Sequence, residues 1–219
     1  MIASELISQI LSPLRTSDTG EQALAMMSIY HVKHLPIVNN EELLGTISEE
    51  DILSANMDEP IGSYGLSLSR AHVNQHDHLF EVMGKMADHQ LTTIPVVDEH
   101  KTYLGVITQE ELMQFYAKSF SFAEPGSILV LEMEKHDYSL AEISRIIETE
   151  NIRILSAFLT KSPDKDVVYV TLKIGSGDAQ KAKSTLERHD YFVKASFVEE
   201  TYVEDLKEHY DALIHYLNV

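Results

Sequence analysis

Apolar residues recur at helical spacing in two stretches of the first half of the chain: Ala23, Met26, Met27 and Tyr30, then Val82, Met83, Met86 and Ala87. Steps of three and four place each set on one helix face. A short β-type run follows each stretch, Leu35-Pro36-Ile37-Val38 and Ile94-Pro95-Val96-Val97. Proline cannot donate to a sheet ladder, so each run is expected at a sheet edge or a strand start. A polar turn then leads into a second strand over residues 43–47 or 103–107. Ser48 and Thr108 are good helix N-caps, and Asp51 and Glu111 stand three residues on. That spacing predicts a capping box: the hydroxyl accepts one orphan N–H and the acid reaches back to the cap N–H.

The pattern is therefore helix–strand–strand–helix, written twice. Asp18, Met27, Pro36 and Val38 recur as Asp77, Met86, Pro95 and Val97 at an offset of 59. The segment LLGTISEEDIL at 43–53 recurs as YLGVITQEELM at 103–113 at an offset of 60, the extra residue falling in a turn. A unit of this size buries a poor core alone. Residues 1–60 and 61–118 are expected to pack together as one domain.

After a linker over residues 119–126, punctuated by Pro125-Gly126, the pattern changes. Residues 128–133 read as a strand. Asp137 or Ser139 can cap a helix carrying Leu140, Ile143, Ile146 and Ile147. Residues 152–160 and 167–174 read as strands around a hairpin loop at 162–166, and Gly175–Gly177 ends the second of them. Asp178 caps a helix to about Arg188, and residues 191–197 read as a last strand. The order β-α-β-β-α-β over 127–198 is the ferredoxin-like split. Val193 and Phe197 are placed where this sheet would pair with a second copy. In residues 199–219, Tyr202, Leu206, Tyr210, Leu213 and Leu217 form one apolar helical stripe, packed on its own domain or against a partner. The fold class is α+β.

The two repeats resemble a tandem pair of CBS domains. The resemblance covers residues 1–118. It is carried by Leu35–Val38 with Gly45-Thr46-Ile47-Ser48-Glu49-Glu50-Asp51, and by Ile94–Val97 with Gly105-Val106-Ile107-Thr108-Gln109-Glu110-Glu111. It implies an adenosyl ligand in clefts between the units, with the hydroxyl of the Gly-x-x-Ser/Thr-x-x-acid segment on ribose or phosphate and the acid on the ribose diol. The nucleotide-binding positions so implied are Leu14, Arg15, Thr16, His34, Leu35, Pro36, Ser48 and Asp51, with Thr93, Pro95, Thr108 and Glu111 in the second unit. Glu111 stands where Asp is usual, which ranks its site below that of Asp51. A helix cap alone would explain Ser48 and Asp51 equally.

Residues 127–198 resemble an ACT domain, through the βαββαβ order, Asp137-Tyr138-Ser139-Leu140-Ala141-Glu142-Ile143 and Glu150-Asn151-Ile152. Tyr138-Ser139 occupies a turn where that family commonly has Pro-Gly. The whole order, CBS–CBS–ACT, is similar to bacterial acetoin-utilisation regulatory proteins.

Charge narrows the partners. The net charge is −18, and the first 123 residues carry 6 Lys/Arg against 17 Asp/Glu. Nucleic acid and anionic membrane surfaces are disfavoured. Near the proposed sites the cations are Arg15, Lys33 and Arg70, with His31 and His34, while Glu49 and Glu50 add negative potential. A nucleoside, a nucleotide with few phosphates, or ATP carried with Mg²⁺ suffers least repulsion. The chain has no cysteine, so no thiolate metal site or disulfide framework arises. The amino terminus has no secretory pattern and no apolar run reaches membrane length. These features point to the cytoplasm.

His72, His76 and His78 are the densest metal-capable group, with solvated histidines as the plainer reading. No motif nominates a nucleophile with its base. The expected function is a non-catalytic sensor with no resident cofactor or metal, a homodimer acting on an unidentified regulated protein. The alternatives are a ligand-independent scaffold or an amino-acid sensor through the ACT-like domain.

Overall fold

The computed structural model describes residues 1–64, 68–122, 124–163, 166–176 and 179–197. The expected helix at 199–219, the Asp178 cap and part of the loop at 162–166 lie outside the described residues. The chain divides into two units, Met1–Tyr116 and Ala117–Val219. Among the described residues no helix is long and apolar enough to cross a membrane.

In the first unit, α1 (Gly20–Ile29), β1 (His34–Asn39), β2 (Glu42–Ser48) and α2 (Glu49–Leu53) form one repeat. After β3 (Val73–Asn74), the helix α3 (Leu79–Asp88), strands β4 (Thr93–Val97) and β5 (Tyr103–Thr108) and helix α4 (Gln109–Ser119) form the other. Ala23 and Met27 of α1, and Val82 and Met86 of α3, are buried as the helical spacing requires. The repeated Asp has a structural task. Asp18 accepts the Arg15 amide at 2.7 Å and Asp77 accepts the Asn74 amide at 2.9 Å, which closes the same turn before each helix.

Both hairpins carry the same irregularity. The antiparallel register slips between Ile37 and Val38, opposite Gly45, and between Val96 and Val97, opposite Gly105. Gly45 has φ +153° and Gly105 φ +156°, a region that side chains disfavour. A Cβ at Gly45 would stand 2.5 Å from the Leu68 Cβ, and one at Gly105 would strike Ile7. The repeated glycine is therefore a bulge with a neighbouring segment pressed against it.

The proline expectation needs correction. Pro95 lies in β4, the central strand of the sheet ordered β3-β4-β5. Pro36 lies inside β1, where Leu14 donates to the Pro36 carbonyl at 2.8 Å and accepts from the Val38 amide at 2.8 Å. This single-residue parallel bridge needs no Pro36 N–H, so the imino position costs no ladder bond.

The repeats exchange segments. Ala3 and Leu6, in a short 3₁₀ turn, join the core of the second repeat with Val73, Leu79, Val82, Ile94 and Ile107. The Ala3 amide donates to the Asp77 carbonyl at 2.9 Å and the Ser8 amide to Val106 at 2.8 Å. In return, the Thr46 amide of the first repeat donates to Ser69 at 2.8 Å, and Val106 joins the first core with Leu14, Leu35, Ile37, Ile47 and Ile52. A cut near residue 60 does not separate two self-contained bodies.

The second unit consists of β6 (Ser127–Glu134), α5 (Leu140–Glu148), β7 (Ile154–Lys161), β8 (Val167–Ile174), α6 (Ala179–Arg188) and β9 (Phe192–Phe197). Its antiparallel sheet runs β7-β8-β6-β9, the ferredoxin-like order. Leu129, Leu131, Val170 and Leu172 face Ile143, Ile146, Ala182 and Leu186 in its core. Residues of β8 alternate between buried and half-buried, so one sheet face carries the helices. Ser139 caps α5 by accepting the Glu142 amide at 3.3 Å; Asp137 lies instead in a 3₁₀ turn. Asn151, at φ +57°, turns the chain out of α5. Glu150 then meets Lys181 at 3.2 Å and Arg188 at 3.1 Å, which ties the end of α5 to α6.

Candidate functional site

The site begins where each hairpin runs into its second helix. Ser48 pairs with His34 across β1 and β2, and Thr108 pairs with Thr93 across β4 and β5. The two helix starts therefore share one end of their hairpins with the residues that join the repeats. The Lys33 amide donates to Thr92 Oγ1 at 2.8 Å, and the Thr92 amide donates to His34 Nδ1 at 3.2 Å. The Thr93 hydroxyl donates to the His34 carbonyl at 2.9 Å. This seam consumes groups that a ligand would otherwise find free. Thr93 is fully buried with its hydroxyl committed, and Leu14 and Leu35 are fully enclosed in the core. Pro36 and Pro95 are buried in their strands. Those positions supply shape, not polar contacts.

The His34 imidazole is half-buried, and burial holds its pKa below the ordinary histidine range against the opposing pull of Asp51 and Glu50. Its Nδ1 accepts an amide proton, so the neutral ring carries hydrogen on Nε2.

Both capping boxes form. In the first, Asp51 Oδ2 accepts from the Ser48 amide at 3.0 Å and from its hydroxyl at 2.7 Å, while the Asp51 amide donates to Ser48 Oγ at 3.1 Å. In the second, Glu111 Oε2 accepts from the Thr108 amide at 3.1 Å and from its hydroxyl, and the Glu111 amide donates back at 3.2 Å. The Asp-for-Glu difference leaves the cap unchanged. In each box one carboxylate oxygen is spent and the other, Asp51 Oδ1 or Glu111 Oε1, makes no hydrogen bond to a described residue. A free carboxylate oxygen can accept hydroxyl protons from a ligand.

Arg15 and Thr16 stand elsewhere. They line a cavity of about 600 Å³ with Val38, Asn39, Asn40, Glu41 and Tyr103, at the turn end of the first hairpin. Ser48 lies opposite the other end of β1, roughly 15 Å away at the usual rise of a strand. The expected group of Arg15 and Thr16 with His34, Ser48 and Asp51 is thus divided between the two ends of one hairpin. Tyr103 was not among the expected residues. Its hydroxyl is buried without a hydrogen-bond partner among the described residues, and burial pushes the phenol pKa up.

A second cavity of about 270 Å³ sits beside β2, lined by Glu42, Leu43, Leu44, Gly45, Arg70, His72, Val97 and Lys101. Arg70 is one of the cations expected near the site; Lys101 had no sequence signal beyond its place in a turn. Neither cavity includes Ser48, Asp51, Thr108 or Glu111.

The three histidines do not gather. His72 Nδ1 lies 2.8 Å from the Arg70 carbonyl, and His78 caps α3 by accepting the Phe80 amide at 3.3 Å. Among the described residues, the His and acid side chains close enough to share an ion are Glu134, His136 and Asp137, all exposed.

Residues 4–58 and 69–118 match the CBS domain model. A homoserine O-acetyltransferase of Methanosphaera stadtmanae is 28% identical over 110 residues, 47% of this chain and 21% of that protein. The chain thus matches about a fifth of that relative's length. An acetoin utilization protein from Vibrio cholerae shares 22% identity and a TM-score of 0.50 over 57% of this chain and 96% of its own. A CBS domain pair/ACT domain protein from Thermotoga maritima shares 21% identity and a TM-score of 0.47 over 52% of this chain and 94% of its own. Residues 4–58 and 69–118 thus carry the CBS domain twice, hairpin for hairpin and cap for cap.

Proposed function

We propose that residues 1–118 are a non-catalytic regulatory module that binds an adenosyl ligand, AMP, ADP, ATP or S-adenosylmethionine, where the capped helices meet the seam between the repeats. The observation that carries this reading is the half-used carboxylate. Asp51 holds its helix with one oxygen and keeps Oδ1 for the vicinal hydroxyls of a ribose. Ser48 stands beside it for ribose or phosphate. Ligand binding would bias how repeats, or two copies of the chain, are arranged. Residues 127–198 act as an ACT-like module in a cytoplasmic homodimer, and the regulated partner is a protein. Calorimetric titration of the full chain with the four compounds tests the reading. Saturable heat with at least one is expected; no heat and no thermal shift with any of them overturns it.

A second reading, a ligand-independent scaffold, is favoured by one observation: the two cavities beside the hairpins do not include either cap. It requires an oligomer whose sedimentation is unchanged by these compounds. A monomer at micromolar concentration overturns it.

A further inference from the structure

The duplication makes these two cavities comparable position by position, and their chemistry has diverged. At the repeat offsets of 59 and 60, Lys101 answers to Glu41, Arg70 to Leu11 and His72 to Pro13. The cavity beside β1 sets Arg15 against Glu41. The cavity beside β2 gathers Arg70, Lys101 and His72 against one acid, Glu42. Of the 6 Lys/Arg in residues 1–118, 2 therefore point to one hollow of about 270 Å³. Neither Arg70 nor Lys101 forms an ion pair with a described residue. Lys85, by contrast, is paired with Asp77 at 3.2 Å. On a chain of net charge −18, unpaired cations are normally drawn to surface acids. Two held around one concavity, beside a histidine whose Nδ1 lies 2.8 Å from the Arg70 carbonyl, concentrate positive charge at one place on an acidic chain.

We infer that this cavity is an anion site for a small phosphoryl group. The guanidinium of Arg70 offers paired donors that match phosphate oxygens, and the Lys101 ammonium adds a point charge. The volume lies at the small end of ligand pockets, which suits phosphate or pyrophosphate and excludes a whole nucleotide from the hollow itself. Glu42 on the rim opposes any anion, but Arg70 and Lys101 together outweigh it, so the more highly charged anion gains more from the site. The inference does not depend on the adenosyl reading, since its residues are separate from Ser48, Asp51, Thr108 and Glu111.

The test uses the full chain in low-salt buffer, titrated calorimetrically with inorganic phosphate, with pyrophosphate and with AMP. Saturable binding of pyrophosphate, tighter than that of phosphate, is expected. Arg70→Ala and Lys101→Ala should each weaken it about tenfold or more, the scale of losing a hydrogen bond to a charged group. Lys101→Glu, which installs the residue found in the other repeat, should abolish it. Arg15→Ala should leave it unchanged. All three side chains are exposed, so native circular dichroism is expected in all four variants. Retained AMP binding in Lys101→Glu would mark a free inorganic anion as the source. Loss of both ligands in that variant, with mutual competition, would mark the phosphoryl arm of a bound nucleotide. No saturable binding of pyrophosphate, or an equal loss in Arg15→Ala and Arg70→Ala, overturns the inference.

Discussion

The Thr92 amide donates to His34 Nδ1 at 3.2 Å, across 58 residues of chain, and so joins the start of β4 to the start of β1. Protonation of the ring would place a hydrogen on the nitrogen that accepts this bond. Burial already disfavours the charged ring, so the folded pKa lies below the unfolded value. A histidine shifted in that sense contributes stability above its unfolded pKa, near 6.5, and loses that contribution as pH falls through the folded pKa. Urea unfolding at pH 7.5, 6.5 and 5.5 should show a midpoint that falls with pH. His34→Asn, which offers an amide oxygen near the Nδ1 position and does not titrate, should flatten this component. Equal slopes for the two proteins would exclude His34 as its source.

The capping boxes separate stability from binding. Asp51→Ala removes the acceptor of the Ser48 amide and hydroxyl, and helix caps of this kind contribute about 1 kcal/mol. Glu111→Ala should cost a similar amount, because Glu111 makes the same bonds to Thr108. Adenosyl binding should respond unequally, with Asp51→Ala weakening it more than Glu111→Ala. Chemical denaturation and calorimetry on the same two variants check both statements. A larger binding loss in Glu111→Ala would reverse the ranking of the sites.

Gly45→Ala meets two obstacles at once, a φ of +153° and a Leu68 Cβ at 2.5 Å from the new methyl group. Such strain costs on the order of 1–3 kcal/mol. Gly84→Ala has open space within 4 Å and lies inside α3, so it should be neutral or stabilising. Thermal melts of the two variants should move in opposite directions or differ by several degrees.

The exchange of segments predicts that the amino terminus stabilises the second repeat. Leu6 is 5% exposed and packs in the same core as Leu79, Val82 and Ile107. Leu6→Ala should destabilise the first unit by about 2–5 kcal/mol, the usual range for a buried leucine. Hydrogen exchange should quicken at α3 and β5. Faster exchange confined to α1 and β1 would contradict the packing.

Local chemistry made much of this legible in the sequence. Apolar spacing placed α1 and α3, the hydroxyl–acid spacing placed both caps, and alternation with turn residues placed the βαββαβ order, because each depends on neighbours within a few residues. The edge placement of proline failed for the opposite reason. Pro95 is tolerated in a central strand because of where its neighbours bond, which no local pattern records.

Two copies of one hairpin-and-cap unit and, after them, an alternating βαββαβ pattern are written in the residue order alone. These follow from backbone dihedral preference and side-chain periodicity, which act over single turns and strands. Long-range packing settles which segment fills which core, that His34 meets Thr92, that Arg15 stands apart from Asp51, and that Arg70 and Lys101 face one hollow. Those relations are set by packing between residues 30 to 100 positions apart, where one side chain's place depends on the volume and hydrogen bonds of all its neighbours.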